Sequence, residues 1–306
     1  MEANGRSTDL SGPGMPKGIE MSLVSARAPF RPADGHKGTF GTLLICAGSP
    51  GMGGAAILCC EAGLRSGTGL VRVFSGPELI TPLLNACPQA VFETRSGRVD
   101  EDLSCLRERS TEADAVVFGP GSDPESAGAL SELKTLIAEV PRLLLDAGAI
   151  RIIQNNRDTL FDAFISRKES ALPPPVLTPH PGEFSRIVPE WDKSDRVRVP
   201  GRFATEYGVI LVLKGHQTAI FTPAGLWYIN TVGNDGLAKG GSGDVLAGLI
   251  GGFMAQGIDP ENAAVAGVYF HGLSADIVAG RLGRRYMQPT DLFGGLSEAF
   301  RECGWQ

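Results

Sequence analysis

TLLICAGSPGMGGAAILCCEAGLRSG, residues Thr42 to Gly67, reads as a strand, a glycine-rich turn and a helix in succession. The run Thr42–Gly48 is short, apolar and closed by glycine, the pattern of a buried strand. In the stretch that follows, Ala56, Ile57, Cys60 and Leu64 recur at helical spacing. Outward from this unit the alternation repeats. GLVRVFS, DAVVFGPG, RLLLDAG, PVLTPH, GVILVLKG and TAIFTP are further strand-like runs, and several end in a Gly-containing turn before helix-compatible sequence. Strands alternating with helices predict an α/β fold, a mainly parallel sheet with helices on both faces. In such sheets ligands bind outside the carboxyl ends of the strands. The turns after the strands are therefore the places to search.

The bulk properties narrow the partners. The chain has 306 residues, 42% hydrophobic and 20% charged, which is ordinary for a globular protein and long enough to bury a core without staples. A net charge of −6 without a basic stripe argues against nucleic acid and against an anionic membrane. A phosphate-bearing ligand stays open, because backbone amides bind anions without a basic surface. The six cysteines form no CxxC and no ligand spacing with His, so they read as reduced thiols of a cytoplasmic protein. No apolar run reaches the ~18 residues of a membrane span, and the N-terminus lacks a signal peptide's apolar region. Residues 1–20, rich in Gly, Pro and small polar residues, predict a flexible tail, and 21–306 a single domain. The polar segment 154–174, closed by Pro173 to Pro175, reads as a surface excursion.

The segment richest in chemistry is KGGSGD, Lys239 to Asp244. After it, Val245, Leu246, Leu249, Ile250, Phe253 and Met254 trace one apolar helical face. Gly240, Gly241 and Gly243 then fall at the helix start, where unpaired N–H groups and the helix dipole favour an anion and glycine lets it come close. Asp244 at the edge of this anion hole is placed to take a proton from a hydroxyl that attacks phosphorus, although Asp is also a common helix cap. The GxxxxGK[ST] loop with its lysine at a helix start does not occur. In VLTPHPGEF, two prolines fix the direction of His180 at a strand end; Glu183 suits either water-mediated magnesium near phosphates or support of the next helix. In GVILVLKGHQT, a strand delivers Lys214 to a turn as a phosphate contact, against the alternative of a solvated hairpin lysine. Asp146 divides between a nucleotide contact and a cap. The glycines of GSPGMGG are misspaced for GxGxxG, which disfavours a dehydrogenase.

Together, HKGTFGTLLICAGS, GLRSGTGLVRV, VVFGPG, LLLDAGAI, LTPHPGEF, VLKGHQT and GNDGLAKGGSGDVLAG resemble the NAD(P)H-hydrate dehydratase family of the ribokinase-like superfamily, in the family's order and over about residues 30 to 300. The resemblance implies a three-layer α/β/α sandwich and dehydration of the (6S) hydrates of NADH and NADPH at the expense of ADP or ATP, with Mg2+. It implies that the hydrated cofactor contacts Ala55, the Gly119 to Gly121 turn, His180 and Asp244. The nucleotide is implied to lie along Lys214, Gly215, His216, Gln217 and Thr218 and against Gly243, and Glu183 to organise magnesium through water. Three departures stand out: His216 where a small polar residue is commoner, LLLDAGAI in place of DADAL, and Asp235 where Pro is frequent. The chain shows no epimerase domain ahead of the dehydratase, so a monofunctional, ADP-using enzyme that relies on a separate epimerase is expected, and a tetramer by analogy. A ribokinase-like kinase for a vitamin precursor and a non-catalytic nucleotide sensor are the competing readings.

Overall fold

The structure, a computed structural model, describes residues 15–305. Its strands are β1 (Lys17–Ile19), β2 (Thr42–Cys46), β3 (Leu70–Ser75), β4 (Val91–Thr94), β5 (Ala115–Phe118), β6 (Leu143–Leu145), β7 (Val176–Leu177), β8 (Ile210–Leu213), β9 (Ala219–Phe221) and β10 (Trp227–Asn230). The helices are α1 (Met21–Ser25), α2 (Gly53–Arg65), α3 (Pro77–Ala86), α4 (Val99–Thr111), α5 (Ala129–Glu139), α6 (Gly148–Asn155), α7 (Arg157–Glu169), α8 (Pro181–Ile187), α9 (Arg198–Tyr207), α10 (Ser242–Ala255), α11 (Pro260–Leu282) and α12 (Leu292–Glu302).

All ten strands join one sheet in the order β1-β10-β9-β8-β7-β6-β5-β2-β3-β4. Every pairing is parallel except those of β9, which runs antiparallel to both β8 and β10. The interior strands are apolar throughout because both faces are covered. Their side chains alternate between two cores, as the two-residue strand period requires. Leu43 and Ile45 enter a core with α2, α10 and α11, whereas Leu44 and Cys46 enter one with α5, α6 and α7. The result is the expected three-layer sandwich.

Between β2 and β5 the strand order reverses, since β2 pairs with β3 on one side and β5 on the other. That reversal opens a crevice at the carboxyl ends of the two strands. α10 lies under the crevice, wedged between α2 and the sheet. A Cβ on Gly248 would sit 2.2 Å from the Cys59 carbonyl oxygen, and one on Gly251 would sit 2.3 Å from Val117 Cγ2. These glycines let α10 approach both neighbours at backbone distance and fix where its first turn emerges.

Three expectations need correction. Lys17–Ile19 do not belong to a tail but pair with β10, and Ile19 is fully buried; residues 1–14 of that expected tail lie outside the described residues. Segment 154–174 contains the four-turn helix α7, whose Leu160, Phe164 and Arg167 are buried at i, i+4 and i+7 spacing. α10 is buried almost all round instead of on one face, because α2, α11 and β5 surround it. α11 is 23 residues long and apolar enough to cross a bilayer, yet 67% of its most apolar window is buried inside the protein, as in a core helix.

Candidate active site

The first turn of α10 has no side-chain cap. Its N-cap is Gly241 at φ 100°, a conformation that glycine adopts without strain. A Cβ there would also meet Leu58 Cδ1 at 2.6 Å, whereas Gly240 faces open space. The Ser242 amide bonds the Lys239 carbonyl at 3.3 Å. Asp244 is the third residue of the helix and so is not its cap. Burial, then the charge of Asp146, push its carboxyl up to about 7, against the opposing pull of Lys214 and of its own amide. A carboxylate near neutrality beside open amides is equipped to accept a proton next to an anion.

Lys214 follows β8, and its ammonium turns inward instead of lying on a solvated hairpin. Its Nζ donates to Asp146 Oδ1 at 2.8 Å and lies 3.2 Å from the position of a Cβ on Gly243. Burial pulls Lys214 down, but Asp146, Glu183 and Asp244 together outweigh it and raise the ammonium above its usual value. The sequence reading divided Asp146 between a nucleotide contact and a helix cap. It stands at the end of β6, 2% exposed, and also accepts from Thr178 Oγ1 at 2.7 Å. Its local signal, an acid closing an apolar strand at the carboxyl rim, did not separate those two roles.

At the crevice, Gly48 N–H donates to the Pro120 carbonyl and Ser49 Oγ to the Gly121 carbonyl, each at 2.8 Å. The two turns thereby bring Ala55 against Gly121, where a Cβ would meet Ala55 Cβ at 2.8 Å. Gly119 has no room either, since a Cβ would lie 1.9 Å from the Asp146 carbonyl oxygen. Ala55, Gly119 and Gly121 are thus all buried, with Gly121 packed directly on Ala55.

His180 is the N-cap of α8. Its Nδ1 accepts from the Gly182 and Glu183 amides at 3.0 and 3.3 Å, and Glu183 Oε2 accepts from the His180 amide at 2.8 Å. This reciprocal capping box commits one side of each residue to the helix. Nε2, on a side chain 53% exposed, lies 3.6 Å from Glu183 Oε2. No cluster of three or more His, Cys, Asp or Glu side chains able to hold a metal occurs among the described residues.

Residues Gly215, His216 and Gln217 project from the rim as an exposed turn. Thr218 Oγ1 donates to the Gly215 carbonyl at 3.1 Å and Gln217 sits at φ 54°. Arg196 Nη2, absent from the sequence reading, steadies the turn by donating to the His216 carbonyl at 3.1 Å.

A mainly parallel sheet whose strand order reverses, with an uncapped helix start, a half-buried lysine and a carboxylate pushed up to about 7 at its rim, is the arrangement of a ribokinase-like fold. The comparisons narrow the class. A sequence profile described as NAD(P)H-hydrate dehydratase matches residues 43–297, and the chain belongs to that family. It is 36% identical over 287 residues to a bifunctional NAD(P)H-hydrate repair enzyme of Moorella thermoacetica, covering 90% of this chain and 52% of that protein. It is 35% identical over 258 residues to an ADP-dependent (S)-NAD(P)H-hydrate dehydratase of Bacillus subtilis, covering 83% and 87%. The chain thus spans about half the length of the bifunctional relatives. Among solved structures it is similar to an ADP/ATP-dependent NAD(P)H-hydrate dehydratase from Bacillus subtilis co-crystallised with ATP and Mg2+, with TM-score 0.77, 27% identity and coverage of 94% and 98%. A ribokinase-like superfamily protein from Enterococcus faecalis gives TM-score 0.79 at 28% identity, with coverage of 95% and 97%.

Proposed function

We propose that the protein dehydrates the (6S) hydrates of NADH and NADPH, consuming ADP and releasing AMP and phosphate. Asp244 takes the proton of the ring hydroxyl, whose oxygen attacks the terminal phosphorus of the nucleotide as the bond to AMP breaks. The new phosphate ester then leaves with its C–O bonding pair, and loss of the neighbouring ring proton restores the double bond. The α10 amides and Lys214 face the transferring group, where charge builds. Ala55, Gly119, Gly121, His180 Nε2 and Asp244 contact the hydrated cofactor, and residues 214–218 with Gly240, Gly241 and Gly243 contact the nucleotide. The observation that carries this reading is Asp244 near neutrality beside an uncapped helix start.

Magnesium fits as an ion carried by nucleotide phosphates and water, because the described residues offer no cage of protein ligands and Glu183 has one carboxylate oxygen beyond its capping bond. Bound there, the ion would neutralise phosphate charge. A separate epimerase supplying the reactive hydrate, a homotetramer and a cytoplasmic location complete the proposal. The six free cysteines support the last of these.

Incubating the protein with NADH hydrate and ADP or ATP in parallel tests the reading by recovery of NADH absorbance and release of phosphate. Phosphorylation of a vitamin alcohol without recovery would decide for a kinase.

A further inference from the structure

Asp146 carries more than its place at a strand end requires. A carboxylate 2% exposed needs hydrogen-bonding partners, and the two side chains that meet it, Lys214 Nζ and Thr178 Oγ1, share the same oxygen, Oδ1. Oδ2 lies 4.0 Å from the position of a Cβ on Gly243, the point that Lys214 Nζ approaches to 3.2 Å. A lysine ammonium has three N–H groups, and among the described residues Asp146 receives its hydrogen bond. The others remain for a ligand at Gly243.

We propose that Asp146 is a positioning residue for the reaction, pinning Lys214 beside the Gly243 amide so that ammonium and amide converge on one phosphoryl oxygen. The inference rests on Asp244 as base and a nucleotide as phosphoryl donor. Lysine has a long flexible stem. Released from Asp146, it has Glu183 and Asp244 as the other carboxylates around it, and pairing with Asp244 would weaken the base. Asp146 also raises Asp244 by its own charge.

The groups facing this cluster leave the sign unambiguous. Cys59 of α2 is held protonated by burial and by the charges of Asp244 and Asp146. His271 of α11 is pushed down to about 4 by burial and stays neutral at working pH. Glu183 of α8 faces Lys214. Lys214 is thus the cation of the cluster, and Asp146 the acid that lifts Asp244.

The test is Asp146→Asn, which keeps the shape and an acceptor for Thr178 and Lys214 but removes the charge. Two readouts need no hydrate: the carboxyl-carbon NMR titration of Asp244, and calorimetric binding of ADP. The Asp244 midpoint is expected to fall from about 7 by about one pH unit, and ADP to bind on the order of tenfold more weakly. An unmoved midpoint with unchanged binding overturns the proposal, as does a lower melting temperature alone. If Asp146→Asn does not fold, Lys214→Gln gives the opposite sign: the Asp244 midpoint rises, and a fall or no change overturns the arrangement. Because neither readout uses the hydrate, a protein that shows these shifts but fails the hydrate assay retains the positioning and loses only the proposed reaction.

Discussion

Two helices begin at the carboxyl rim of the sheet and treat their first-turn amides in opposite ways. α8 brings its own acceptors: His180 takes two amides, Glu183 returns to the His180 amide, and Pro181 removes a donor that would otherwise need a partner. α10 brings none. Its N-cap is a glycine, its first turn carries Gly243 and Asp244, and the lysine and the second acid beside it follow strands β8 and β6. A side-chain cap stabilises a helix by about 1 kcal/mol, so α10 forgoes that gain where a ligand can take its place. The closed end is satisfied by its own side chains, and the open end is the one to which the proposed reaction assigns the nucleotide.

The change with the largest expected effect removes the base of the open end. Asp244→Asn should lower turnover by roughly 10²–10⁴-fold while ADP affinity stays within a few-fold. It should also raise the melting temperature. The folded carboxyl titrates at about 7 against an ordinary 3.8, so the folded state holds its proton longer and stability falls as pH rises between those values. Removing the charge returns roughly 1–4 kcal/mol at neutral pH. A wild-type acid limb of activity near pH 7 belongs to the same group; a limb near pH 4 would show that burial does not set this base.

Giving α10 the acceptor that α8 has should close the comparison from the other side. Gly241→Ser places a hydroxyl at the N-cap, but at φ 100° and with its Cβ 2.6 Å from Leu58 Cδ1. Thermal melts should show a loss of about 1–3 kcal/mol, and calorimetry at least tenfold weaker ADP binding. Unchanged ADP binding would place the phosphates away from α10.

The smallest effect is expected at the closed end. Glu183→Gln retains an acceptor for the His180 amide, so melting should move by less than about 1 kcal/mol. The informative readout is the magnesium dependence of turnover, which should shift several-fold if Glu183 organises the ion. No shift would leave Glu183 as a cap alone.

The layer order and most of the central strands were legible in the sequence because buried parallel strands write themselves as continuous apolar runs. Three strands were not. VFET of β4 is half exposed at an edge, KGI of β1 is three residues long, and WYIN of β10 follows the β9 hairpin without a run of its own. β4 and β10 pair with the strands just before them, β3 and β9, and β1 pairs with β10 far along the chain. The site divides in the same way. Asp244 and its glycines announce themselves locally through helix-start chemistry. Asp146 becomes informative only when the sheet sets β6 beside β7 and β8 and brings Lys214 and Thr178 to its side. Local pattern also cannot distinguish a ligand-facing His180 from a capping one, since both uses place histidine between prolines at a strand end.

The short strand β1 has a practical consequence for handling the protein. Lys17, Gly18 and Ile19 cover the outer side of β10 along its backbone. A preparation begun at Met21, as the composition alone would suggest, leaves the N–H and C=O groups of Tyr228 to Asn230 bare and Tyr228 beside them. Bare edges of that kind recruit strands from other molecules. Such a truncated preparation should precipitate or form mixed oligomers at concentrations where one that retains β1 stays dispersed.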